Sequence, residues 1–566
     1  MQGSGMAGLK SFLRLPESEY DTRTILRWLW KAWKGNRLQA VLNAAVGLLE
    51  VIVSLVQVTA VKYAIDVASG AIRGSILWAV IWMAFLVILD FALDIAHIWI
   101  SNVLGIRAQN KMQQQFVDRL IRTEWRGKEK RHSGDVLNRL EFDVNTVVIF
   151  LTETIPSVLS VLVMFVAAFT YLFTMDHVLA LIIVAVFPLF FLASKIYVRR
   201  MRRLNRQVRH FDSKVQSVLQ ETIQHRALIK TLETGSVMVG RLGYVQHHLR
   251  QKVIKRTKFR VFSNLVVNLG FTFGYLLAFF WAAVRMSRHT LTFGGMTAFL
   301  QLVNRIQGPV RDMAKLVPAY VNVYTAAERL MELEKDVLEE QGDPVSLNPS
   351  CGIRLKDVSF EYDTADGYVI RNLSFDFPPE SSTAILGETG AGKTTLIRLL
   401  LAFLHPQKGH IEIYNDHVSE ELSPLHRCNF SYVPQGNTLM SGTIRDNLRL
   451  GKMNATDEEM EEALKESCAE FVFDLPEGLG TMCSEQGGGL SEGQAQRISI
   501  ARCLLRNRHI MIFDEATSAL DPDTERRLLE NLLSKHQHTI LFITHRPTVV
   551  KYCDQTLTIR KVRDLS

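Results

Sequence analysis

The sequence predicts a multidomain membrane protein, in which an all-α domain with six transmembrane helices precedes an α/β domain built around a phosphate-binding loop. Three observations lead to this prediction. The chain has 566 residues, which is too long for one hydrophobic core. Hydrophobic residues make up 48% of the chain at a mean hydropathy of +0.08, which is high for a soluble protein with 22% charged residues. The long apolar segments end near residue 317, and the glycine-rich motif GETGAGKT begins only at Gly387.

Net charge separates the two parts of the chain. From residue 351 onward there are 23 Lys and Arg against 31 Asp and Glu, a net charge of −8. The whole chain carries +8, so residues 1–350 carry +16. A basic excess between long apolar segments is typical of an oriented membrane protein, which favours that interpretation over nucleic-acid binding. All six cysteines lie in the acidic part without C-x-x-C spacing, which indicates free cytosolic thiols and no zinc site.

Six apolar segments are long enough to cross a bilayer, which takes about 20 residues. They cover residues 39–64, 75–100, 154–174, 177–198, 262–284 and 293–317. The strongly basic stretches lie in the long joints between them: RGKEKR at 126–131, RRMRRLNRQVR at 199–209 and KVIKRTKFR at 252–260. By the positive-inside rule, both termini and both long excursions are cytoplasmic. Apolar residues at three- and four-residue spacing in the excursions predict that the spans continue into the cytosol as long helices.

The flanks of the membrane part predict a surface helix and a domain boundary. TRTILRWLWKAWKGNR, before the first span, mixes tryptophans with bases, so we expect an interfacial elbow helix on the inner membrane surface; an ordinary cytosolic helix is the alternative. Between Glu328 and Cys351 the sequence turns polar and carries Gly342, Pro344 and Pro349. The predicted domains are an N-terminal tail with the elbow helix at 1–36, the six-helix domain at 37–330, a linker at 331–350 and the α/β domain at 351–566.

The α/β domain opens with a phosphate-loop motif. A strand-like STAILG runs into Gly387 to Thr394, which fits G-x-x-x-x-G-K-[ST] in a strand, loop and helix context. Gly390 and Gly392 let backbone N–H groups approach the phosphates, and Lys393 reaches the β and γ oxygens. The Thr394 hydroxyl is suited to hold Mg²⁺. This spacing predicts a P-loop NTPase.

Two further strands end in polar side chains suited to hydrolysis. HIMIFDEATSALD places Asp514 and Glu515 after four apolar strand residues, where Asp514 suits the metal and Glu515 is placed to orient or deprotonate the attacking water. TILFITH ends at His545, where an imidazole is able to contact the γ-phosphate. Alone, His545 is interpreted as a capping or surface residue, but beside Lys393, Asp514 and Glu515 it is a candidate catalytic partner.

With these motifs the chain resembles the ATP-binding-cassette (ABC) transporter family, specifically the exporter-type half-transporters with six spans and one ATPase domain. In the ATPase domain the resemblance rests on GETGAGKT, Gln435 in YVPQGNTLMSGTIRDNL, LSEGQ at 490–494, IMIFDE, SALD at 518–521 and His545. In the membrane half it rests on GDVLNRLEFDV at 134–144, IKTLE at 229–233, and FGGMTAFLQLVNRIQGPVRDM followed by AAERLMEL. It implies coupling contacts near residues 134–143 and 224–231.

The resemblance also implies ATP and Mg²⁺ as cofactors and roles for single residues. Tyr362 in VSFEY matches the aromatic residue that stacks on adenine, and Gln435 matches a residue that touches Mg²⁺ and the attacking water. In this family two ATPase domains pack head to tail, so Ser491 and Gly493 are implied to bind the γ-phosphate held by the other chain. The remaining residues implied to contact the nucleotide are Glu388, Thr389, Ala391, Thr395, Gln494 and Asp521.

The motif LSEGQ at 490–494 forms the signature loop, and the sequence departs from the family pattern within it and shortly before it. Glu492 stands where the family usually has a second glycine; pointing inward it would repel a triphosphate, and pointing outward at a helix start it would favour the dipole. We expect the outward orientation. Glu485 falls where the family has an acidic residue near the intracellular helices, but Met482, Cys483 and Ser484 differ from the usual sequence.

Ionisable residues lie within the predicted spans, and five of them are candidates for a translocation pathway. Charges in a membrane interior are costly and usually face the helix bundle or a water-filled cavity. The five candidate residues are Glu50, Asp90, Asp94, His97 and Arg305. Either they line a polar, cation-preferring translocation pathway, or they pair within the bundle or lie in the cytosolic extensions of the helices.

The sequence thus predicts an ATP-hydrolysing transporter that exports or flips a lipid, drug or peptide-like substrate by alternating access. Its expected partner is a second copy of the chain, because every catalytic position is present; a related half-transporter is the alternative. An importer of the same architecture and an ATP-gated regulatory membrane protein also remain open, the latter disfavoured by Glu515. Without a signal-peptide core or targeting segment, we expect a multi-pass protein of the bacterial inner membrane with the ATPase domain in the cytoplasm.

Overall fold

The computed structural model describes residues 20–34, 37–125, 133–362, 367–483, 489–534 and 537–561. The chain divides into two compact units. The N-terminal unit contains residues 1–117 and 133–334, and the C-terminal unit contains residues 118–132 and 335–566. The first basic stretch at 126–131 and most of the N-terminal tail lie outside the described residues. An all-α part followed by an α/β part confirms the predicted fold class.

The N-terminal unit is built from helices. They are α1 (Thr22–Ala32), α2 (Arg37–Ala68), α3 (Ile76–Ile121), α4 (Ser133–Asn138), α5 (Val144–Ile149), α6 (Ile155–Met175), α7 (His177–Gln224), α8 (Arg226–Thr231), α9 (Gly235–Ser287) and α10 (Phe293–Glu334). Two π-helical turns, Arg139–Asp143 and Phe150–Thr154, join α4, α5 and α6 into one continuous run. The last residues of α3 belong to the C-terminal unit.

Each predicted span falls within one long helix: α2, α3, α6, α7, α9 or α10. Within the described part of the chain, four helical segments are long and apolar enough to cross a membrane, at Ala40–Ala68, Ile76–Ile121, Gly134–Met175 and Gly235–Ser287. Helices are required because a bilayer core offers no water to satisfy backbone N–H and C=O groups. Helices α3, α7, α9 and α10 exceed the length of a span by 20 residues or more, as the periodicity of the excursions predicts.

Buried carboxylates fasten the helices at the short joints. The backbone N–H of Gly294, in the first turn of α10, donates to Asp66 Oδ1 near the end of α2 at 3.0 Å. Asp176, between α6 and α7, is 2.6 Å from Arg285 Nη2 and accepts from Trp281 Nε1 at 3.1 Å, both on α9. The first carboxylate satisfies an amide that an isolated helix leaves without a partner, so the sequence of α2 determines where α10 begins.

Helix α1 buries one face against the end of α10. Ile25 and Leu29 are buried in a cluster with Tyr324 and Leu330, and Trp28 Nε1 donates to Glu334 Oε2 at 2.8 Å. The opposite face exposes Trp30. This two-sided distribution fits the predicted amphipathic elbow, whose position on the membrane surface stays a prediction.

The C-terminal unit contains two main sheets and a two-stranded ribbon, with these elements in chain order. The strands are β1 (Gly352–Glu361), β2 (Tyr368–Phe377), β3 (Ser382–Gly387), β4 (Lys408–Tyr414), β5 (Ser419–Glu421), β6 (Phe430–Val433), β7 (Gly442–Thr443), β8 (Met482–Cys483), β9 (Ile510–Asp514), β10 (Thr539–Ile543) and β11 (Gln555–Ile559). The helices are α11 (Lys393–Leu400), α12 (Ile444–Arg449), α13 (Asp457–Glu466), α14 (Glu492–Arg506), α15 (Pro522–Leu533) and α16 (Pro547–Tyr552).

The parallel sheet has the strand order β11-β3-β10-β9-β6, and the antiparallel sheet has the order β2-β1-β4-β5. Every residue of β9 and β10 is buried, as expected for a parallel sheet covered on both faces. Phe513 and Phe542 stack with ring centroids 5.1 Å apart between these strands. Because parallel strands end at the same edge, the residues after β3, β9 and β10 are brought together there.

A short piece of the first cytosolic excursion pairs with the linker inside the C-terminal unit. Glu124 N–H donates to Val337 O and Glu339 N–H donates to Arg122 O, each at 2.9 Å. The Glu339 carboxylate accepts two bonds from the Arg427 guanidinium, at 2.6 and 2.8 Å. Such two-pronged pairs add geometric specificity, so the linker is held to this unit.

A Cβ added at Gly294 would collide with the backbone oxygen of Lys62 and with Asp66, so we expect Gly294→Ala to displace α10 from α2. Overpacking of this kind destabilises by about 1–3 kcal/mol. The matched control is Gly240→Ala within α9, where a Cβ meets open space and helix propensity adds about 0.5–1 kcal/mol of stability. Thermal unfolding in lipid nanodiscs measures both. A melting temperature that rises for both variants would show that the Asp66–Gly294 contact does not restrain α10.

Candidate functional site

The phosphate loop follows β3 and turns into α11 through two glycines in the left-handed region. Gly390 has φ +82° and Gly392 has φ +104°, conformations that side chains disfavour. Lys393 is buried, and its Nζ donates to Gly387 O at 2.7 Å and to Glu388 O at 3.4 Å. Left-handed turns before a helix point backbone N–H groups into one concavity, and the lysine adds a positive charge at its rim. This arrangement has the geometry and charge suited to an anion.

Four of the predicted residues lie in one chain of contacts. Lys393 Nζ is 2.8 Å from His545 Nε2, His545 Nε2 is 3.5 Å from Glu515 Oε1, and Gln435 Nε2 donates to Glu515 Oε2 at 2.7 Å. Glu515 has φ +50°, which is uncommon for a residue with a side chain. Its N–H donates to Ile543 O at 2.9 Å, one residue beyond the β9–β10 pairing, and this bond holds the strained backbone.

Asp514 ends β9 as a buried carboxylate. Burial raises the pKa of Asp514; a hydrogen bond from Tyr432 and the charges of Lys393 and Arg398 oppose this, while Glu515 adds to it. Tyr432 donates to Asp514 Oδ2 at 3.3 Å. Tyr432 was not predicted, because a tyrosine within a strand is interpreted as packing. Thr394, the predicted Mg²⁺ ligand within the phosphate loop, is exposed in the first turn of α11.

Tyr362 lies beside the phosphate loop at the end of β1. Its hydroxyl is 3.0 Å from Thr395 Oγ1 and accepts from Arg398 Nη1 at 3.3 Å. Its ring meets Phe360 edge to face, with centroids 4.9 Å apart. Arg398 was also missed from the sequence; its place four residues beyond the motif, on the helix that the motif starts, was the available signal. Glu388, Thr389 and Ala391 complete the loop.

The signature loop starts a helix, as LSEGQ predicts. Ser491 is the N-cap of α14: its Oγ accepts from Gln494 N–H at 3.2 Å, and Gln494 Oε1 accepts from Ser491 N–H at 2.9 Å. Glu492, at the first helical position, is exposed. The preceding Gly487, Gly488 and Glu485 lie outside the described residues. Ser491 and Gln494 therefore cap the helix N-terminus at which an anion site is predicted.

The SALD turn packs directly under the signature loop. A Cβ at Gly493 would lie 2.7 Å from the backbone oxygen of Ala519, so only glycine allows this approach. Asp521 caps α15 by accepting from Thr524 N–H at 3.0 Å, and that bond lowers the pKa of Asp521. In the part of the chain that the structure describes, no hydrogen bond joins residues 489–494 to residues 387–395. The predicted nucleotide residues thus form two separate groups within one chain.

In the membrane helices, Glu50 and His97 form a pair. His97 Nδ1 is 3.1 Å from both carboxylate oxygens of Glu50, and both side chains are about three-quarters buried, at 24% and 25% exposure. A Cβ at Gly47 would lie 2.7 Å from Ser160 Oγ and 3.3 Å from His97 Cε1, so three helices approach closely here. Asp90 and Arg305 are partly buried, whereas Asp94 is exposed.

Comparison with known proteins gives matches over both parts of the chain. The sequence model of a family described as "ABC transporter transmembrane region" matches residues 40–310, and that of a family described as "ABC transporter" matches residues 370–518. An "ATP-dependent lipid A-core flippase" of Bordetella avium is 27% identical over 541 residues, 93% of this chain and 90% of its own length. The matches also include two Bacillus subtilis proteins with names of the same family.

One is the "Uncharacterized ABC transporter ATP-binding protein YfiB", 31% identical over 433 residues, 75% of each chain. The other is the "Putative multidrug export ATP-binding/permease protein YgaD", 27% identical over 454 residues, 79% of this chain and 78% of the relative. The matches extend over most of each relative, so the likeness includes both the membrane part and the ATPase part.

Gly493→Ala tests the packing of the signature loop. The added Cβ forces the start of α14 away from Ala519, so we expect ATPase activity to fall more than about tenfold, since a 1 Å misplacement at an active site is enough for a loss of about a hundredfold. Binding of a fluorescent ATP analogue should be retained. Glu492→Gly is the matched control and should change the ATPase rate only modestly. A hundredfold change in that control would show that Glu492 faces the nucleotide.

Proposed function

This chain belongs to the ABC transporter family, as an exporter-type half-transporter that uses ATP hydrolysis to drive transport across a membrane, and we propose that two copies assemble to form two composite ATP sites. One observation carries this proposal: the predicted nucleotide residues of a single chain form two groups that share no hydrogen bond among the described residues. The first group is the Lys393–His545–Glu515–Gln435 chain with the phosphate loop. The second is Ser491, Gly493 and Gln494 at the capped start of α14, together with Asp521.

In the proposed assembly, the phosphate loop of one copy holds ATP while the signature loop of the other covers it. Oligomers of identical chains usually have two-fold symmetry, which gives two equal sites. Ser491 Oγ accepts a bond from its own helix, so its hydroxyl hydrogen remains to be donated to the γ-phosphate, beside the positive end of the α14 dipole. Tyr362 provides the ring for adenine. All parts come from one sequence, so a second copy of the same chain completes each site and no subunit of a different sequence is required.

We assign hydrolysis to the contact chain around Glu515. Its carboxylate is held by Gln435 and faces His545, so it is placed to orient the attacking water and to accept a proton from it. His545 and Lys393 lie together where charge develops on the γ-phosphate. Gln494 and Asp521 stabilise the helix starts that cover the nucleotide.

Mg²⁺ fits the donor set that Thr394, Gln435 and Asp514 supply. These side chains offer a hydroxyl, an amide oxygen and a carboxylate, which are the oxygen ligands that Mg²⁺ takes in phosphate sites. Burial raises the pKa of Asp514, and a bound cation favours the ionised carboxylate. The ion would neutralise negative charge on the β- and γ-phosphates.

The proposed cargo is an amphipathic molecule, of lipid, drug or peptide-like character, carried from the cytoplasmic side of a bacterial inner membrane. The names of two relatives, a lipid A-core flippase and a putative multidrug exporter, support this class. The Glu50–His97 pair lies where three helices meet and keeps about a quarter of each side chain exposed, as expected at the wall of a polar pathway. Asp90 and Arg305 form a second polar element of this proposed pathway.

The first experiment measures ATPase activity of the chain purified alone into lipid nanodiscs, beside Glu515→Gln. We expect turnover in the wild type and a loss of about a hundredfold or more in the variant, the usual contribution of a general base. Co-expression of Lys393→Ala with Gly493→Ala then tests the shared site. Alone, Lys393→Ala is expected to be inactive and Gly493→Ala to lose more than about tenfold in activity. Statistical mixing restores about a quarter of the sites if each site is built from two copies. An inactive wild type, or no recovery on mixing, would contradict the homodimer.

Glu50→Gln, Asp90→Asn and Asp94→Asn, tested singly, examine the membrane pathway. Each amide keeps the shape and removes the charge, so transport of cationic relative to anionic dyes into inverted vesicles should change while basal ATPase activity is retained. Glu50→Gln should have the largest effect because its carboxylate contacts His97, and exposed Asp94 the smallest. Unchanged dye preference in all three variants would remove these residues from the pathway.

A further inference from the structure

An aromatic side chain from the first cytosolic excursion packs beside the phosphate-loop helix. Trp125 follows Ile121, the last residue of α3, and belongs to the C-terminal unit. Its ring lies on Phe403, with centroids 5.8 Å apart and an interplanar angle of 38°. The Arg398 guanidinium carbon is 5.5 Å from the Trp125 ring centroid. This distance is within the range of a cation–π interaction, for which tryptophan is the best partner.

The same arginine reaches the proposed adenine platform. Arg398 Nη1 donates to the Tyr362 hydroxyl at 3.3 Å, and that oxygen is also 3.0 Å from Thr395 Oγ1. Thr395 and Arg398 are three positions apart on α11, so their side chains share one face of the helix. The Tyr362 hydroxyl is therefore fixed by two groups of α11, one of which is itself positioned by Trp125.

Arg427 contacts the Phe403 ring, which lies against Trp125. The Arg427 guanidinium carbon lies 4.4 Å from the Phe403 ring centroid, and the same group donates to Leu401 O at 2.8 Å and to Ala402 O at 2.7 Å. Arg427 also holds Glu339 of the linker. Phe403 is thus held beside the backbone that follows α11, and its ring contacts Trp125 on the side of Arg398.

We infer that Trp125 is a positioning residue for ATP, which acts through Arg398 on the Tyr362 ring. The inference rests on the proposed role of Tyr362 at adenine. Without the Trp125 ring, the Arg398 guanidinium loses one of the contacts that orient it and directs the tyrosine hydroxyl less well, so the Tyr362 ring loses its pre-set orientation and ATP binds less well. The phosphates are held elsewhere, by Lys393 and the backbone of the loop, and do not depend on this contact. The segment that follows α3 thus sets the affinity for the base of the nucleotide.

The test uses the full chain in lipid nanodiscs and compares ATP with inorganic tripolyphosphate, which has no base. Trp125→Ala and Arg398→Ala should each raise the KM for ATP about three- to tenfold, which corresponds to the strength of a cation–π contact at tenfold per 1.4 kcal/mol. For Trp125→Ala we expect kcat to stay within about twofold and the inhibition constant of tripolyphosphate to stay unchanged, since neither measures base binding. The KM for ATP of the double variant should be no higher than that of Arg398→Ala alone, because both substitutions remove the same Trp125–Arg398 contact.

Two further variants separate this inference from a loss of folding. Trp125→Phe keeps a ring under Arg398 and should restore most of the KM. Tyr552→Ala removes an aromatic side chain of the same unit with nearly equal exposure, 38% against 39% for Trp125, and should leave the KM unchanged. If Trp125→Ala lowers kcat, or weakens tripolyphosphate as much as ATP, its role is structural and the inference is overturned.

Tyr362→Ala distinguishes failure of the inference from failure of the adenine assignment. A raised KM for ATP in Tyr362→Ala, together with an unchanged KM in Trp125→Ala and Arg398→Ala, overturns the positioning role and leaves the adenine site in place. An unchanged KM in Tyr362→Ala itself overturns the adenine assignment, and the inference with it. A raised KM in all three variants, with unchanged tripolyphosphate binding, supports both.

Discussion

The parallel pairing of β3 with β10, and of β10 with β9, is the constraint on which the proposed chemistry depends. In this register Ile543 lies beside both Ile385 and Asp514, so three chain segments leave the sheet at one edge. The phosphate loop follows the first strand, Glu515 the second and His545 the third. The bond from Glu515 N–H to Ile543 O extends the pairing by one residue and imposes the positive φ that brings the carboxylate to Gln435 and His545. The paired strands therefore hold Glu515 in this strained backbone conformation.

Much of this architecture could be predicted from the sequence, because it is encoded in patterns that need no long-range information. Uninterrupted apolar length identified the spans, and the G-x-x-x-x-G-K-T spacing identified the strand, loop and helix of the phosphate site. In the structure, Ser491 and Gln494 of LSEGQ form a capping box, a local pattern of the S-x-x-Q type.

What escaped prediction depends on partners distant in sequence. Tyr432 reaches Asp514 across neighbouring strands, and Arg398 reaches both Tyr362 and Trp125. No local periodicity distinguishes these side chains from ordinary strand or helix residues. The same holds for residues 118–125, whose assignment to the C-terminal unit follows from pairing with the linker more than 200 positions away. The π-helical turns within the third span also have no sequence signal in the apolar pattern.

The buried carboxylates at the short joints have a mechanical consequence. Asp66 fastens the start of α10 to the end of α2, and Asp176 fastens the α6–α7 turn to α9. Helix α10 has 42 residues and is therefore about 63 Å long at 1.5 Å per residue. Fastened at its first turn, it behaves as a lever, and a tilt of about 5° displaces its far end by about 5 Å, close to one helical turn. A small rotation at the joint that Asp66 fastens is thus amplified towards the far end of α10.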